Sequence, residues 1–339
     1  YGDSTSGQAA VYRLGMIGSP VINLNNNCST GSTALFLARQ AIEGGVAECV
    51  LALGFEQMNP GALGAVFEDR PNPLEKFIES ANEIEGKSKV PVALRLFGGA
   101  GLEHQKKYGT RDETFARVSQ KARLHAKHNP RAIFRDEVSI EEVLSSPPMH
   151  GVLTRLQCCP PTCGAAAALL TSEKFAKTHG LRSDVKITGQ AMTTDFSSSF
   201  EGKTMMQIVG SDMSQAAAND LYERTGIGPE DVYVVELHDC FTSNEIITYE
   251  ALQLTEQGGS EQFVSDGDNT YGGKVVVNPS GGLLSKGHPL GATGLGQCTE
   301  LIWQLREEAG PRQVEGARVG LQHNLGLGGA CVVSLYQKV

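Results

Sequence analysis

Asp231-Val-Tyr-Val-Val-Glu-Leu237, His238-Asp239-Cys240-Phe241 and Asn244-Glu-Ile-Ile-Thr-Tyr-Glu-Ala-Leu-Gln-Leu254 are the stretch on which the fold turns. The first seven residues form an apolar run rich in β-branched side chains and predict a strand. The last eleven carry helical spacing, and the break between them holds a histidine and a cysteine two residues apart. The same order stands earlier in the chain. Residues 19–25 (Ser-Pro-Val-Ile-Asn-Leu-Asn) predict a short strand, which Asn26, Asn27 and Cys28 interrupt. Gly31-Ser32-Thr33 then opens a helix with Leu35, Ala38, Ala41 and Ile42 on one face, and Gly44-Gly45 stops it. Residues 48–53 (Glu-Cys-Val-Leu-Ala-Leu) predict a further strand. Strand, helix and strand at this length predict a βαβ unit in a parallel sheet covered on both faces. A cysteine thus follows a predicted strand and precedes a predicted helix twice, at Cys28 and at Cys240.

Outward from these units, residues 59–150 change character. Pro60, Pro71, Pro73 and Pro91 interrupt a charged segment with amphipathic helices near 101–108 and 112–127, which predicts an inserted, mostly helical layer. Residues 163–171 (Cys-Gly-Ala-Ala-Ala-Ala-Leu-Leu-Thr) predict another buried strand. Gly287-His288-Pro289 introduces a helix over Gly291–Glu307, and two strands over Arg318–Gln322 and Ala330–Leu335 close the pattern through the glycine-rich stretch Asn324–Gly329. The chain reads as two similar α/β halves.

Composition excludes several function classes. Of 339 residues, 40% are hydrophobic and 20% charged, which is globular rather than disordered. A net charge of −9 argues against an electrostatic nucleic-acid binder. No apolar run reaches the ~18 residues of a helical membrane span. The eight cysteines follow no disulfide framework and no zinc-ligand spacing, so a reducing setting and no metal are expected.

Four positions could carry chemistry. Cys28 stands at a helix start, where orphan N–H groups and the macrodipole favour a thiolate; the competing reading is a buried structural cysteine. His288 sits between glycines at a second helix start, and a simple capping role competes. His238 and Cys240 share one face if their stretch is extended, though coincidence at an apolar strand end weighs equally. His323-Asn324-Leu325-Gly326 supplies a glycine turn whose N–H groups could bind an oxyanion. The other histidines (His104, His125, His128, His150 and His179) read as solvated. Cys49, Cys298 and Cys331 read as packing, and Cys158, Cys159 and Cys163 around Pro160-Pro161 carry no chemical reading.

Taken in order, Asn-Asn-Asn-Cys28, His238-Asp-Cys240-Phe, Gly287-His288-Pro289 and His323-Asn324-Leu-Gly326 resemble the thiolase family, in its sterol-carrier branch. The resemblance extends over essentially the whole chain and includes the Gly-Asp-Asn-Thr-Tyr-Gly-Gly stretch 267–273. It implies the thiolase fold: two βαβαβαββ halves in five αβαβα layers. Residues 1–58 with 151–183 would form the first half, 184–339 the second, and 59–150 a loop domain that binds coenzyme A. It also implies a homodimer, joined through the sheet edge near 47–53. Because the chain opens on Tyr1, the family's first central strand and long helix are expected to be missing.

The resemblance further implies thiolytic cleavage of a 3-oxoacyl-CoA by coenzyme A, with coenzyme A as co-substrate and no permanently bound cofactor. Cys28 would be the nucleophile, His288 its base and an oxyanion donor, and His238 an oxyanion donor. Most thiolases carry the acid/base cysteine where Asn324 stands here; the exchange to His238-Asp239-Cys240 marks the sterol-carrier branch and assigns that role to Cys240. The N–H groups of Cys28 and Gly326 would form a second oxyanion hole. Branched or sterol side-chain acyl-CoA substrates and a peroxisomal location follow from the resemblance alone, with a cytoplasmic location as the alternative. A decarboxylating ketosynthase-type enzyme and a non-catalytic, partner-binding thiolase-like protein are the competing classes. Cys240 discriminates against the first, since decarboxylation has no use for a second thiol; intact Cys28 and His288 discriminate against the second.

Overall fold

The computed structural model describes residues 4–59 and 69–339; Tyr1 and Pro60 lie outside them. The second half of the chain builds the main sheet from β5 (Val185–Thr193), β6 (Val234–Glu236), β7 (Val276–Val277), β8 (Val319–Gly326) and β9 (Ala330–Lys338), in the order β5-β9-β8-β6-β7. The strands β6, β7 and β8 run parallel, while β9 is antiparallel to both β5 and β8. Every residue of β8 and the first seven of β9 are buried, as strands covered on both faces must be. Met213, Ala217 and Leu221 of helix Ser211–Thr225 lie in the core cluster on one face. Leu295, Cys298, Leu301 and Leu305 of helix Thr293–Leu305 join Val234 and Tyr336 on the other.

That second helix lies beside helix Thr30–Glu43, and both also pack on a smaller sheet, β1 (Cys49–Glu56) with β4 (Gly164–Thr171). The order helix, sheet, helix pair, sheet gives four of the five expected layers among the described residues. The helices Glu75–Glu85, Val92–Tyr108, Asp112–Ala126 and Ile140–Ser145 occupy the segment between the strands of the smaller sheet, followed by a short hairpin, β2 (Pro148–His150) with β3 (Leu153–Thr154). Val92–Tyr108 and Asp112–Ala126 pack on helix Thr242–Ala251, all ten residues of which are buried.

Three expectations need correction. Residues 19–25 form no strand: they run as extended coil with Ile22 78% exposed. The Asn23 side chain accepts from the Gly7 N–H at 2.7 Å and donates to Gln8 at 2.7 Å, tying the segment to the first helix rather than to a sheet. Without that strand the βαβ unit expected over residues 19–53 does not form, and β1 pairs antiparallel with β4 along all eight residues. The smaller sheet is likewise not buried on both faces, since alternate residues of β4 are exposed, Leu169 to 58%. Finally, His104 and His125 are core groups rather than solvated ones. His104 bridges Thr110 (2.8 Å) and Glu250 (2.9 Å), and His125 bridges the Asn278 carbonyl (3.0 Å) and Thr270 (2.7 Å). Both imidazoles tie the helical segment to the second half.

A buried ion pair pins the helix that begins beyond His288. Arg312 donates to Glu300 through Nε at 3.1 Å and Nη2 at 2.8 Å, and also to the His128 carbonyl at 3.2 Å. Removing one partner leaves the other charge buried and uncompensated, typically at a cost of about 3–5 kcal/mol. Glu300→Ala is therefore expected to lower the unfolding free energy by that amount, read as a fall in urea midpoint at unchanged slope, whereas a cost under about 1 kcal/mol would show the pair to be solvated.

Candidate active site

Four loops meet at the ends of the main sheet's parallel strands. The first carries Cys28 into helix Thr30–Glu43, with Asn27 in the left-handed region at φ 52°. The second follows β6 and holds His238 and Cys240; the third holds His288, ahead of helix Thr293–Leu305; the fourth is the end of β8, with Asn324 and Gly326. Cys28 follows coil rather than a strand. Gly326 permits the first and fourth to touch: a Cβ there would lie 2.2 Å from the Asn26 carbonyl oxygen. Asp239 joins the second and third by accepting the Leu283 N–H at 2.7 Å. Gly282, at φ 60°, leaves room for that carboxylate, which lies 2.0 Å from where its Cβ would stand.

The loops enclose a cavity of about 100 Å³ lined by Cys28, His238, Cys240 and His288, and walled by apolar groups including Phe97, Phe241, Leu290 and Leu325. Cys159 lines it too, a thiol to which the sequence reading gave no role. A larger, open groove of about 950 Å³ around Tyr271, Lys274 and Arg318 contains neither cysteine nor histidine, so volume alone would misplace the chemistry. One ligand atom from each of Cys28, His238 and His288 lies within 4.8 Å of the others. The two imidazole rings stand edge to face, 5.0 Å between centroids.

The outer nitrogens of the two rings are held differently. Thr293 donates its hydroxyl proton to the Pro289 carbonyl (3.0 Å), so at 2.7 Å from His288 Nδ1 its oxygen must accept. His288 therefore carries its proton on Nδ1, and Nε2, a buried atom with no partner, presents a lone pair. His238 is wired the opposite way. Tyr336 donates to Gln322 Oε1 (2.5 Å), Gln322 Nε2 to Ser32 Oγ (2.8 Å), and Ser32 to Asn324 Oδ1 (2.8 Å). That leaves Asn324 Nδ2 to donate to His238 Nδ1 at 3.1 Å. A neutral His238 then carries its proton on Nε2. One imidazole is an acceptor and the other a donor. His323 is buried on the other side, bonded to Ser214 at 2.9 Å, and does not line the cavity.

Electrostatics corrects one expectation. The helix start was expected to depress the Cys28 thiol pKa, yet burial pushes it up to about 12, with Glu56 adding to the rise. Desolvation of a thiolate beside apolar walls outweighs the macrodipole there. Burial lowers His288 to about 3, helped by Lys286, and holds His238 well below its usual range, helped by His288 and His323. Burial also raises Cys240 well above the ordinary thiol range, with Cys159 and Cys28 adding to the rise. The resting pair is thus neutral thiol and neutral imidazole. Alkylation of Cys28 by iodoacetamide, followed by peptide mapping, should accelerate about tenfold per pH unit from pH 6 to 10, because only the thiolate reacts. A plateau beginning below pH 8 would show a preformed thiolate. Cys163 is exposed and will compete for reagent, so replacing it first isolates the Cys28 profile.

Residues 196–335 match the family described as Thiolase C-terminal domain-like. The chain is 60% identical to Sterol carrier protein 2 of Oryctolagus cuniculus over 99% of its length, and spans 62% of that relative. It is 36% identical to the Benzoylsuccinyl-CoA thiolase subunit BbsB of Thauera aromatica, covering 95% of this chain and 81% of the relative. Among solved structures, human mitochondrial 3-ketoacyl-CoA thiolase superposes with a TM-score of 0.69 over 98% of this chain and 82% of that one, at 17% identity. Fold, sequence and the order of the four loops agree: the chain belongs to the thiolase family.

Proposed function

We propose that the protein cleaves 3-oxoacyl-CoA thiolytically, giving a shortened acyl-CoA and acetyl- or propanoyl-CoA. The observation that carries this reading is the meeting of Cys28, His238 and His288 within 4.8 Å, with Thr293 bonded to one ring and Asn324 to the other. Cys28 Sγ attacks the 3-oxo carbon while its proton passes to His288 Nε2. Because thiol and imidazole are both neutral at rest, proton transfer accompanies carbon–sulfur bond formation rather than preceding it. The negative charge collects on the carbonyl oxygen, where His238 Nε2–H donates to it. Collapse of the adduct breaks the bond between the α and β carbons and releases an enolate, which takes the Cys240 thiol proton.

The second half reverses these roles. The Cys240 thiolate deprotonates the incoming coenzyme A thiol, which attacks the acyl group on Cys28. The backbone N–H groups of Cys28 and Gly326 stabilise the thioester oxygen, and Cys28 leaves as a thiolate that recovers its proton from His288. Burial supports Cys240 as the acid, since a thiol raised above its usual range stays protonated until the enolate forms beside it. Coenzyme A would reach the site past the helices between Glu75 and Ser145. Branched or sterol side-chain acyl chains and a peroxisomal setting follow the sterol-carrier relatives, and a homodimer follows the family. Cys240 favours thiolysis over decarboxylative condensation.

Two variants separate the steps by intact mass and steady-state rate. Cys28→Ser should accumulate no acyl-enzyme from any thioester. Cys240→Ser should still acylate at Cys28 with acetyl-CoA, while thiolysis falls by about 10²–10⁴-fold, the range of a lost general acid. Parental turnover in Cys240→Ser would remove it from the mechanism and raise the condensing-enzyme reading.

A further inference from the structure

The pair Cys158-Cys159, to which the sequence reading assigned no chemistry, lies against the loop that holds Cys240. Cys158 forms an antiparallel bridge with Phe241, and the Cys159 N–H donates to the Cys240 carbonyl at 3.0 Å. In that register Cys159 stands directly opposite Cys240. Residues opposite one another in an antiparallel pair point to the same face, with Cα atoms about 4.5–5.5 Å apart, inside the ~4.4–6.8 Å that a disulfide spans. Both side chains line the same cavity. All eight cysteines are free thiols, and Cys159 is the more accessible of the two, being half-buried where Cys240 is buried.

We propose that Cys159 is a modification site, a cross-strand partner that closes a reversible disulfide onto Cys240 when the cavity meets a hydroperoxide. The first step oxidises Cys159. Its sulfur attacks the peroxide, the O–O bond breaks, and the products are the Cys159 sulfenic acid and an alcohol or water. In the second step Cys240 sulfur attacks Cys159 sulfur, the S–O bond breaks, and one water leaves. Two thiols lose two electrons and the peroxide gains them. A dithiol reductant reverses the bond. Closure is slow near neutrality, because burial raises both thiols well above their usual range and leaves little thiolate. It quickens with pH. The consequence for turnover rests on the functional reading, in which Cys240 supplies the proton; the bond itself does not.

The test uses the whole chain. Protein incubated with tert-butyl hydroperoxide at pH 8.5 is alkylated, digested and mapped by tandem mass spectrometry, with fragmentation that separates Cys158 from Cys159. The expected result is a Cys159–Cys240 cross-link two hydrogens lighter than the reduced peptides. Turnover should fall by about 10²-fold or more, the scale of a lost general acid, and return with dithiothreitol. In Cys159→Ser the cross-link should vanish and dithiothreitol should restore less of the lost activity. A parental sample carrying only Cys28-containing disulfides, a Cys158–Cys240 link, or no disulfide overturns the proposal without touching the thiolase reading. A Cys159–Cys240 link that leaves turnover unchanged supports the modification site and instead contradicts the acid role of Cys240.

Discussion

The hydrogen bonds on the outer nitrogens of His238 and His288 are the constraint on which the rest of this site depends. Two neutral imidazoles 5.0 Å apart have no intrinsic division of labour. Thr293 forces one to keep its proton on Nδ1, and the chain from Tyr336 through Gln322, Ser32 and Asn324 forces the other to keep it on Nε2. In the proposed reaction one ring takes the proton and the other stabilises the charge that the transfer creates. The fold supplies this wiring from two layers: Tyr336, Gln322 and Asn324 come from adjacent main-sheet strands, Ser32 from one central helix and Thr293 from the other. Each group is buried, so an unsatisfied alternative arrangement would carry a desolvation cost of about 1–3 kcal/mol per group.

Burial also sets the character of the nucleophile. A thiol at about 12 beside an imidazole at about 3 does not ionise at rest. The helix start contributes, but the apolar walls around it contribute more. The cost of forming a thiolate in such a cavity is offset when the charge moves on to a carbonyl oxygen in the same step. On the proposed reading such a site favours a bound substrate over adventitious electrophiles, since His238 and the backbone N–H groups would stabilise the charge that forms. Burial holds Cys240 as a thiol in the same way, as an acid that meets an enolate in the proposed reaction requires.

Much of this was legible in the sequence, and the limits have physical causes. Cys28, His238, Cys240 and His288 line one cavity because each stands at the start of a helix or the end of a strand, where loops of an α/β sheet converge. The strands near 231–237, 318–322 and 330–335 were readable from apolar runs, though β6 is shorter and β8 and β9 longer than expected. Residues 19–25 misled because Val21, Ile22 and Leu24 suggest a strand, while the Asn23 side chain ties the segment to Gly7 and Gln8 instead of a sheet partner. His104 and His125 misled because helix surfaces rich in charge still have a buried side, and their partners, Glu250 and Asn278, lie more than a hundred residues away. Cys159 was invisible for the same reason: its meaning comes from standing opposite Cys240. Ser32 and Thr293 had a faint local signal, four and five residues beyond Cys28 and His288, but nothing in spacing told which proton each would direct.

The opposite tautomers can be observed directly. In protein labelled with ¹⁵N at histidine, long-range proton–nitrogen correlation at pH 7 distinguishes a protonated from an unprotonated ring nitrogen, and His238→Gln and His288→Gln assign the signals. The account predicts that His288 is protonated at Nδ1 only and His238 at Nε2 only, with neither titrating between pH 5 and 9. In Ser32→Ala the Asn324 amide loses the bond that orients it, and the His238 signal should redistribute between tautomers while that of His288 stays. Finding both rings in the same tautomer, or either as an imidazolium at neutral pH, would contradict it.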